Sequence, residues 1–253
     1  HSLALTKVIP ELRTSASGRD NDHLDLANQY DECYDFVTQI FDEYLLGDDP
    51  VFSNDTVVHV GCDEYTVAPN AFRQFCKDMI NYVESTGRIA RLWGSLTKLA
   101  GDGSVIVEGY GVQLNLWDEG YANMYEMYEL GYDLINCNDN DYYIVPNAGY
   151  YRDYLSSDTM YNKPMNQIGG LSIPAGDKQM IGGAFAVWND LIDYRDNGIS
   201  EYDVYVRFNQ YLGLFAAKVW GKGDYTISEA KDVSTILGDA PNTNFAYSIS
   251  DVS

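Results

Sequence analysis

Short apolar runs, several of them rich in β-branched residues, recur along the chain: TVVHVG (56–61), IARLWG (89–94), VQLNLW (112–117), YDLINC (132–137) and MIGGAFAVW (180–188). Helical patterns separate them. Residues 23–46 put Leu26, Tyr30, Cys33, Phe36, Val37, Ile40, Phe41 and Leu45 three and four positions apart, and Gly47 and Pro50 end that stretch. A second helix is expected over about 70–85, with Phe72, Phe75, Met79 and Val83 on one face, and others over YANMYEMYELG and about 201–217. Strands without clean polar alternation, separated by helices, predict a parallel sheet covered on both faces. No G-x-G-x-x-G follows the first strand and no phosphate loop occurs, so a doubly wound nucleotide-binding sheet is disfavoured. Several runs finish in an acid or a tryptophan, as strands do where they converge on one rim of a barrel. The expected fold class is therefore α/β, a TIM (β/α)8 barrel.

With 253 residues, 45% of them hydrophobic, the chain can bury one large core. Sixteen basic against 38 acidic residues give a net charge of −22, which repels nucleic acid. No apolar run approaches the roughly 20 residues of a membrane helix, so membrane insertion is not expected. The sequence begins at His1 without a basic-then-apolar leader, so any secretion signal is expected to lie upstream or to have been removed. Four cysteines without a C-x-x-C pair read as buried free thiols. Twenty-two tyrosines supply flat faces with polar handles, a surface that suits sugar rings as well as cores and interfaces.

The run HVGCDEY (59–65) sets Asp63 and Glu64 side by side at a strand end. Along a strand His59, Gly61 and Asp63 point one way and Glu64 the other, so both acids serve one ligand only if the chain turns near Asp63. Asp63 capping the next helix, with Glu64 solvated, is the simpler alternative. An inward His59 and a glycine at 61 are features a simple cap does not need. Adjacent acids, one of them desolvated, provide a proton donor beside a charged orienter. A metal site of His59, Asp63 and Glu64 is disfavoured, because neither His1 nor His23 has helical ligand spacing with His59. No metal and no cofactor are expected.

HVGCDEY resembles the H-x-G-[GA]-D-E signature of glycoside hydrolase family 20, the β-N-acetylhexosaminidases and lacto-N-biosidases, with Cys62 in the small-residue slot. HSLALTKVIPEL (1–12), RLWG, VQLNLWD, YYIVPNAGYY and AVWND continue the likeness in order over roughly residues 1–220. The resemblance implies a retaining glycosidase without an enzymic nucleophile, in which the substrate's 2-acetamido oxygen attacks the anomeric carbon to form an oxazolinium ion. Carried onto this chain, it makes Glu64 the general acid and then the base, and Asp63 the group that orients the acetamido nitrogen. Tyr143 would donate to the acetamido carbonyl, with Tyr142 as a rival. Trp93, Trp117 and Trp188 would wall the pocket, and His1, His59 and Asp190 would bind substrate. The implied partner is a glycan containing N-acetylhexosamine.

Two departures carry further expectations. Many exo-acting members have tryptophan-x-glutamate at the eighth strand, whereas this chain has Trp188, Asn189 and Asp190; Val145 likewise stands where many carry an aspartate. Both resemble the lacto-N-biosidase branch, which releases a disaccharide. If His1 follows the third strand, the chain supplies only strands four to eight of the barrel and lacks the N-terminal strands. Residues 1–222 are then the C-terminal part of a catalytic barrel and 223–253 a final helix and exit linker. The expectation is a fragment of a longer polypeptide, or one half completed by a second chain, with a non-catalytic glycan-binding remnant as the alternative function. The acidic, tyrosine-rich, cysteine-poor composition resembles secreted or wall-attached bacterial enzymes, which implies an extracellular or cell-surface location.

Overall fold

The computed structural model describes residues 2–16, 22–221 and 225–237. The chain divides into two compact units, the first made of residues 1–136 and 168–181, the second of 137–167 and 182–253. In chain order the first unit holds α1 (Leu3–Val8), a 3-10 turn (Pro10–Leu12), α2 (Tyr30–Leu45), β1 (Val57–His59), α3 (Pro69–Ser85), β2 (Ile89–Trp93), β3 (Gln113–Leu116), α4 (Met124–Glu129) and β4 (Asp133–Asn136). The second unit begins with α5 (Asp139–Tyr142), β5 (Tyr143–Ile144) and α6 (Ser157–Asn162). Then follow β6 (Gln167–Ile168), β7 (Leu171–Ser172) and β8 (Met180–Gly183), which lie largely in the first unit. The second unit is completed by β9 (Ala186–Val187), α7 (Tyr194–Asn197), α8 (Glu201–Trp220) and α9 (Ile227–Leu237).

The apolar runs supply a five-stranded sheet in the order β1-β2-β3-β4-β8, in which β1 to β4 pair in parallel, while the end of the last run, β9, belongs to a separate two-stranded sheet with β5. The α/β reading and the parallel sheet therefore hold. Among the described residues the strands do not close into a barrel; the sheet ends at β1, where a groove of about 440 Å³ is lined by Ile40, Phe41, Tyr44, Phe52, Val57 and Val58.

One face of the sheet is apolar. Ala90, Leu92, Leu114, Leu116 and Leu134 are buried in a core shared with Phe72, Cys76, Met79 and Val83 of α3 and Met124 and Met127 of α4. Each buried leucine contributes about 1.5–3 kcal/mol. The other face, expected from sequence to be covered like the first, carries a polar row. The register aligns His59, Arg91, Gln113 and Asp133 in one row across β1 to β4. Arg91 and Gln113 are hydrogen-bonded side chain to side chain. Side chains alternate faces along a strand, and the period-two placement of Arg91 and Trp93 in IARLW, and of Gln113 and Asn115 in VQLNLW, carries this pattern.

The α3 helix begins at Pro69, where a missing N–H costs nothing. Its buried Arg73 donates to the carbonyls of Val105, Leu96 and Leu99 at 2.7, 2.9 and 3.3 Å, which ties the loop after β2 to the helix. The α2 helix starts at Tyr30 rather than near residue 23. Leu24 instead bridges antiparallel to Arg13, and Asp25 takes both hydrogen bonds of the Asn28 amide, so a turn wins over the helical spacing.

In the second unit β5 and β9 pair in parallel, so the expected single strand over 180–188 is two. Its core holds Tyr142, Ile144, Leu155, Met160, Tyr161, Tyr211 and Leu214. A capping box between Ser200 and Asp203 starts α8. Near the other end of that helix, Lys218 donates to the carbonyls of Met160 and Lys163 at the end of α6. Among the described residues no helix is long and apolar enough to cross a membrane.

Candidate active site

The β1 ladder extends past His59 through Val60, whose N–H meets the Arg91 carbonyl at 2.8 Å, and Gly61, whose carbonyl takes the Trp93 N–H at 2.9 Å. The chain then turns sharply. Gly61, Cys62 and Glu64 have φ of +78°, +59° and +45°. Left-handed backbone at a residue with a Cβ costs about 1–3 kcal/mol and is held only where its surroundings enforce it. Here they do so from both ends. Cys62 packs against the core that holds the fully buried Cys76 of α3, and burial, followed by the Cys62 thiol, pushes the Cys76 thiol well above its ordinary range. Beyond the acids, the buried Tyr65 stacks on Phe72 at 5.5 Å and donates to the Leu24 carbonyl at 3.0 Å. Among the described residues no disulfide joins the four cysteines, and Cys62 is half-buried while the others are buried.

Asp63 and Glu64 are both half-buried on this turn. Asp63 does not cap α3, whose N-cap is Ala68 without a side-chain bond, so the simpler alternative fails. Each carboxylate meets a hydroxyl from a neighbouring loop. Ser95 Oγ lies 3.1 Å from Asp63 Oδ1, and Tyr121 Oη lies 3.5 Å from Glu64 Oε1.

His59 anchors the start of the turn by accepting the Gly61 N–H on Nδ1 at 3.0 Å, which leaves the neutral ring's proton on Nε2. Its ring lies 5.3 Å from that of Trp93. Although His59 keeps an exposed edge, desolvation of the ring, followed by the Arg91 guanidinium, holds its pKa down to about 4. Burial likewise lowers the pKa of Arg91 and raises that of Asp133 in the same row.

The loops after β2 and β3 interlock beside the acids. Trp117 is 5% exposed, and its indole N–H donates to the Gly94 carbonyl at 3.0 Å. Tyr121 lies against it with ring centroids 4.5 Å apart. Gly94 is required for this contact, since a Cβ there would meet Ala122 Cβ at 2.6 Å. Trp93 is half-buried, whereas Trp117 spends its surface inside the interlock.

Tyr143, Trp188 and Asp190 lie on the second unit. Tyr143 packs edge-on against Trp188 at 5.7 Å and Tyr151 at 6.0 Å, while Tyr142 turns the opposite way into the core beside Phe215. The Tyr142 hydroxyl is buried without a hydrogen-bond partner among the described residues. Trp188 is 38% exposed, and Asp190 accepts a hydrogen bond from Tyr150 at 3.0 Å. His1 lies outside the described residues. Among the described residues no cluster of three or more His, Cys, Asp or Glu is arranged to hold a metal ion.

Ser95, Tyr121 and Arg91 are absent from the sequence-based expectation. Arg91 was visible as the polar residue of an alternating strand, but Ser95 and Tyr121 sit in loops where no periodicity marks them.

No protein-family model and no curated protein matches the sequence. Solved structures do. Dispersin B superposes with a TM-score of 0.59 at 15% identity, over 85% of this chain and 65% of that one. A structure of the pneumococcal virulence factor StrH, described for N-glycan recognition and hydrolysis, gives 0.58 at 17% identity, over 85% and 56%. A mutant Streptomyces plicatus β-hexosaminidase in complex with its product GlcNAc gives 0.53 at 16% identity, over 85% and 43%. The chain thus spans at most about two thirds of these neighbours. A structure of StrH's tandem GH20 catalytic modules also matches, with a TM-score of 0.55 at 17% identity, over 76% of this chain and 50% of that one. Together with the strand-end acid pair, these likenesses give the chain the fold of the glycoside hydrolase family 20 catalytic modules.

Proposed function

We propose that the chain carries the acid pair of a glycosidase that cleaves β-linked N-acetylhexosaminides with retention, through substrate assistance. The observation that carries this reading is the left-handed turn after a parallel strand, which presents two half-buried carboxylates, each met by a hydroxyl. Strain of this kind clusters at functional sites. Glu64 protonates the leaving oxygen while the substrate's acetamido oxygen attacks the anomeric carbon. Asp63 accepts the acetamido N–H and offsets the positive charge that grows on the resulting oxazolinium. Glu64, now ionised, takes a proton from the water that opens the ring. General acid catalysis of this sort contributes roughly 10²–10⁴ in rate.

The test is hydrolysis of a chromogenic β-N-acetylglucosaminide and a β-lacto-N-bioside by wild type and Glu64→Gln. A loss of at least about a hundredfold in the variant is expected; equal rates would sink the proposal. Disaccharide release is the finer part of the reading. It is supported by the short carboxylate of Asp190, which already accepts a bond from Tyr150. Replacing Asp190 with Glu is expected to shift preference towards the monosaccharide substrate, and an unchanged ratio would count against it.

Since the chain spans at most about two thirds of the solved neighbours, a glycan-binding part without turnover is the second reading. Binding of N-acetylglucosamine oligomers by wild type that hydrolyses neither substrate would favour it. The open β1 edge and its apolar groove support completion of the sheet by a longer polypeptide or a second chain. The composition supports an extracellular or cell-surface location, which fractionation of the native host would test.

A further inference from the structure

The geometry points to Tyr121 as the residue that positions Glu64, with Lys98 stacked on its ring as a second contributor. The catalytic consequence rests on the proposed function, whereas the placement of the Glu64 carboxylate does not.

Tyr121 is held by more contacts than a surface tyrosine needs. Its N–H donates to Asp118 Oδ1 at 3.0 Å, within the loop after β3. Its carbonyl accepts the N–H groups of Thr97 and Lys98, from the loop after β2, at 3.0 and 3.1 Å. The ring packs on Trp117 at 4.5 Å, and Lys98 Nζ lies 4.0 Å from its centroid. Backbone and ring are thereby fixed, and the hydroxyl is directed at Glu64. A separation of 3.5 Å is long for a hydrogen bond, as catalytic contacts commonly are before substrate is bound.

A hydroxyl donating to a carboxylate favours its ionised form. Glu64 must pass through that form between delivering a proton to the leaving group and taking one from water. Tyr121 therefore steadies Glu64 at the stage when it carries charge beside Asp63. An ammonium over the ring strengthens the hydroxyl as a donor through the π system. Charged groups beside this pair include Asp63, next to Glu64 in the chain, Lys98 from the loop after β2, and Asp118 from the loop after β3.

The experiment is a carbon-13 NMR titration of the Glu64 carboxyl, assigned by its absence in Glu64→Gln, in wild type, Tyr121→Phe, Lys98→Met and the double variant. Tyr121→Phe retains the ring that packs on Trp117, and Lys98 is exposed, so its replacement tests the idea even if the phenylalanine variant folds poorly. The expected result is a Glu64 pKa raised by about one unit in Tyr121→Phe and by less in Lys98→Met. The Lys98 effect should shrink once Tyr121 is Phe, because it acts through the hydroxyl. In an active enzyme the same variant lowers kcat with little change in KM and moves the basic limb of the pH profile upward. A Glu64 titration within about 0.2 units of wild type in Tyr121→Phe overturns the assignment. Wild type that hydrolyses no hexosaminide overturns the proposed function instead, and leaves the titration as the judge of Tyr121.

Discussion

Ser95 Oγ stands 3.1 Å from Asp63 Oδ1, so a buried hydroxyl from the loop after β2 donates to the carboxylate beyond the end of β1. A hydrogen bond to a charged group contributes about 1.5–3 kcal/mol. Ser95→Ala should therefore lower kcat/KM on an N-acetylhexosaminide by about ten- to a hundredfold, while Ser95→Thr retains a hydroxyl and loses less. Steady-state kinetics on the three proteins checks this, and an alanine variant with wild-type kcat/KM would contradict it.

Gly94 sits where the two loops interlock, with the Ala122 methyl 2.6 Å from the place a Cβ would take. Gly94→Ala should destabilise the protein by about 1–3 kcal/mol, the usual cost of overpacking, and disturb the Trp117 bond to the Gly94 carbonyl. Urea unfolding measures the loss. The paired change Gly94→Ala with Ala122→Gly removes the opposing methyl and should recover part of it, the Asn115 carbonyl oxygen 3.1 Å from the new Cβ remaining in place.

His59 titrates near 4 rather than its ordinary 6.5, because desolvation and then Arg91 disfavour the imidazolium. The folded protein binds this proton less readily than the unfolded chain does, so in that window the unfolded state carries more protons. The stability that His59 contributes is complete above about 6.5 and is lost as the pH falls towards 4. Protonation also removes the acceptor for the Gly61 N–H. Following the His59 ring carbon resonance against pH should give a midpoint well below that of a model imidazole. The Tm difference between wild type and His59→Gln should narrow on acidification through the same range, and a constant difference would argue against the assignment.

Lys218 donates to two carbonyls at the end of α6, those of Met160 and Lys163, and desolvation holds its amine down to about 8. Lys218→Met keeps the length of the side chain but leaves both carbonyls without this donor. A loss of about 1–3 kcal/mol is expected from those unmade bonds. Chemical denaturation followed by tyrosine fluorescence reports it; an unchanged midpoint would mean that water replaces the amine without cost.

Much of the architecture was legible because it rests on periodicity. The Phe72, Phe75, Met79 and Val83 spacing placed α3 within a residue of its observed start, and the first four apolar runs became neighbouring parallel strands of one sheet. Where local chemistry competes with periodicity the reading failed. The first turn of the expected helix at 23–29 yielded to the Leu24 bridge and the Asp25–Asn28 hydrogen bonds. The polar row of His59, Arg91, Gln113 and Asp133 was overlooked, although its alternation stands in the strands themselves.

The acid pair was visible because a strand followed by Gly-Cys-Asp-Glu is a local pattern, and local patterns survive in one dimension. Sequence alone placed Asp63 and Glu64 at a strand end; its reading of Tyr142 and Tyr143 as neighbours on one strand did not hold, because Tyr142 closes α5 and only Tyr143 opens β5. Only the tertiary structure decided that Glu64 is delivered by left-handed backbone at Cys62 and at Glu64 itself, and that Ser95 and Tyr121 meet the two carboxylates. The physical reason is separation along the chain. A hydroxyl 32 or 57 residues from its acid leaves no periodic trace, and its place is set by how parallel strands bring their following loops together.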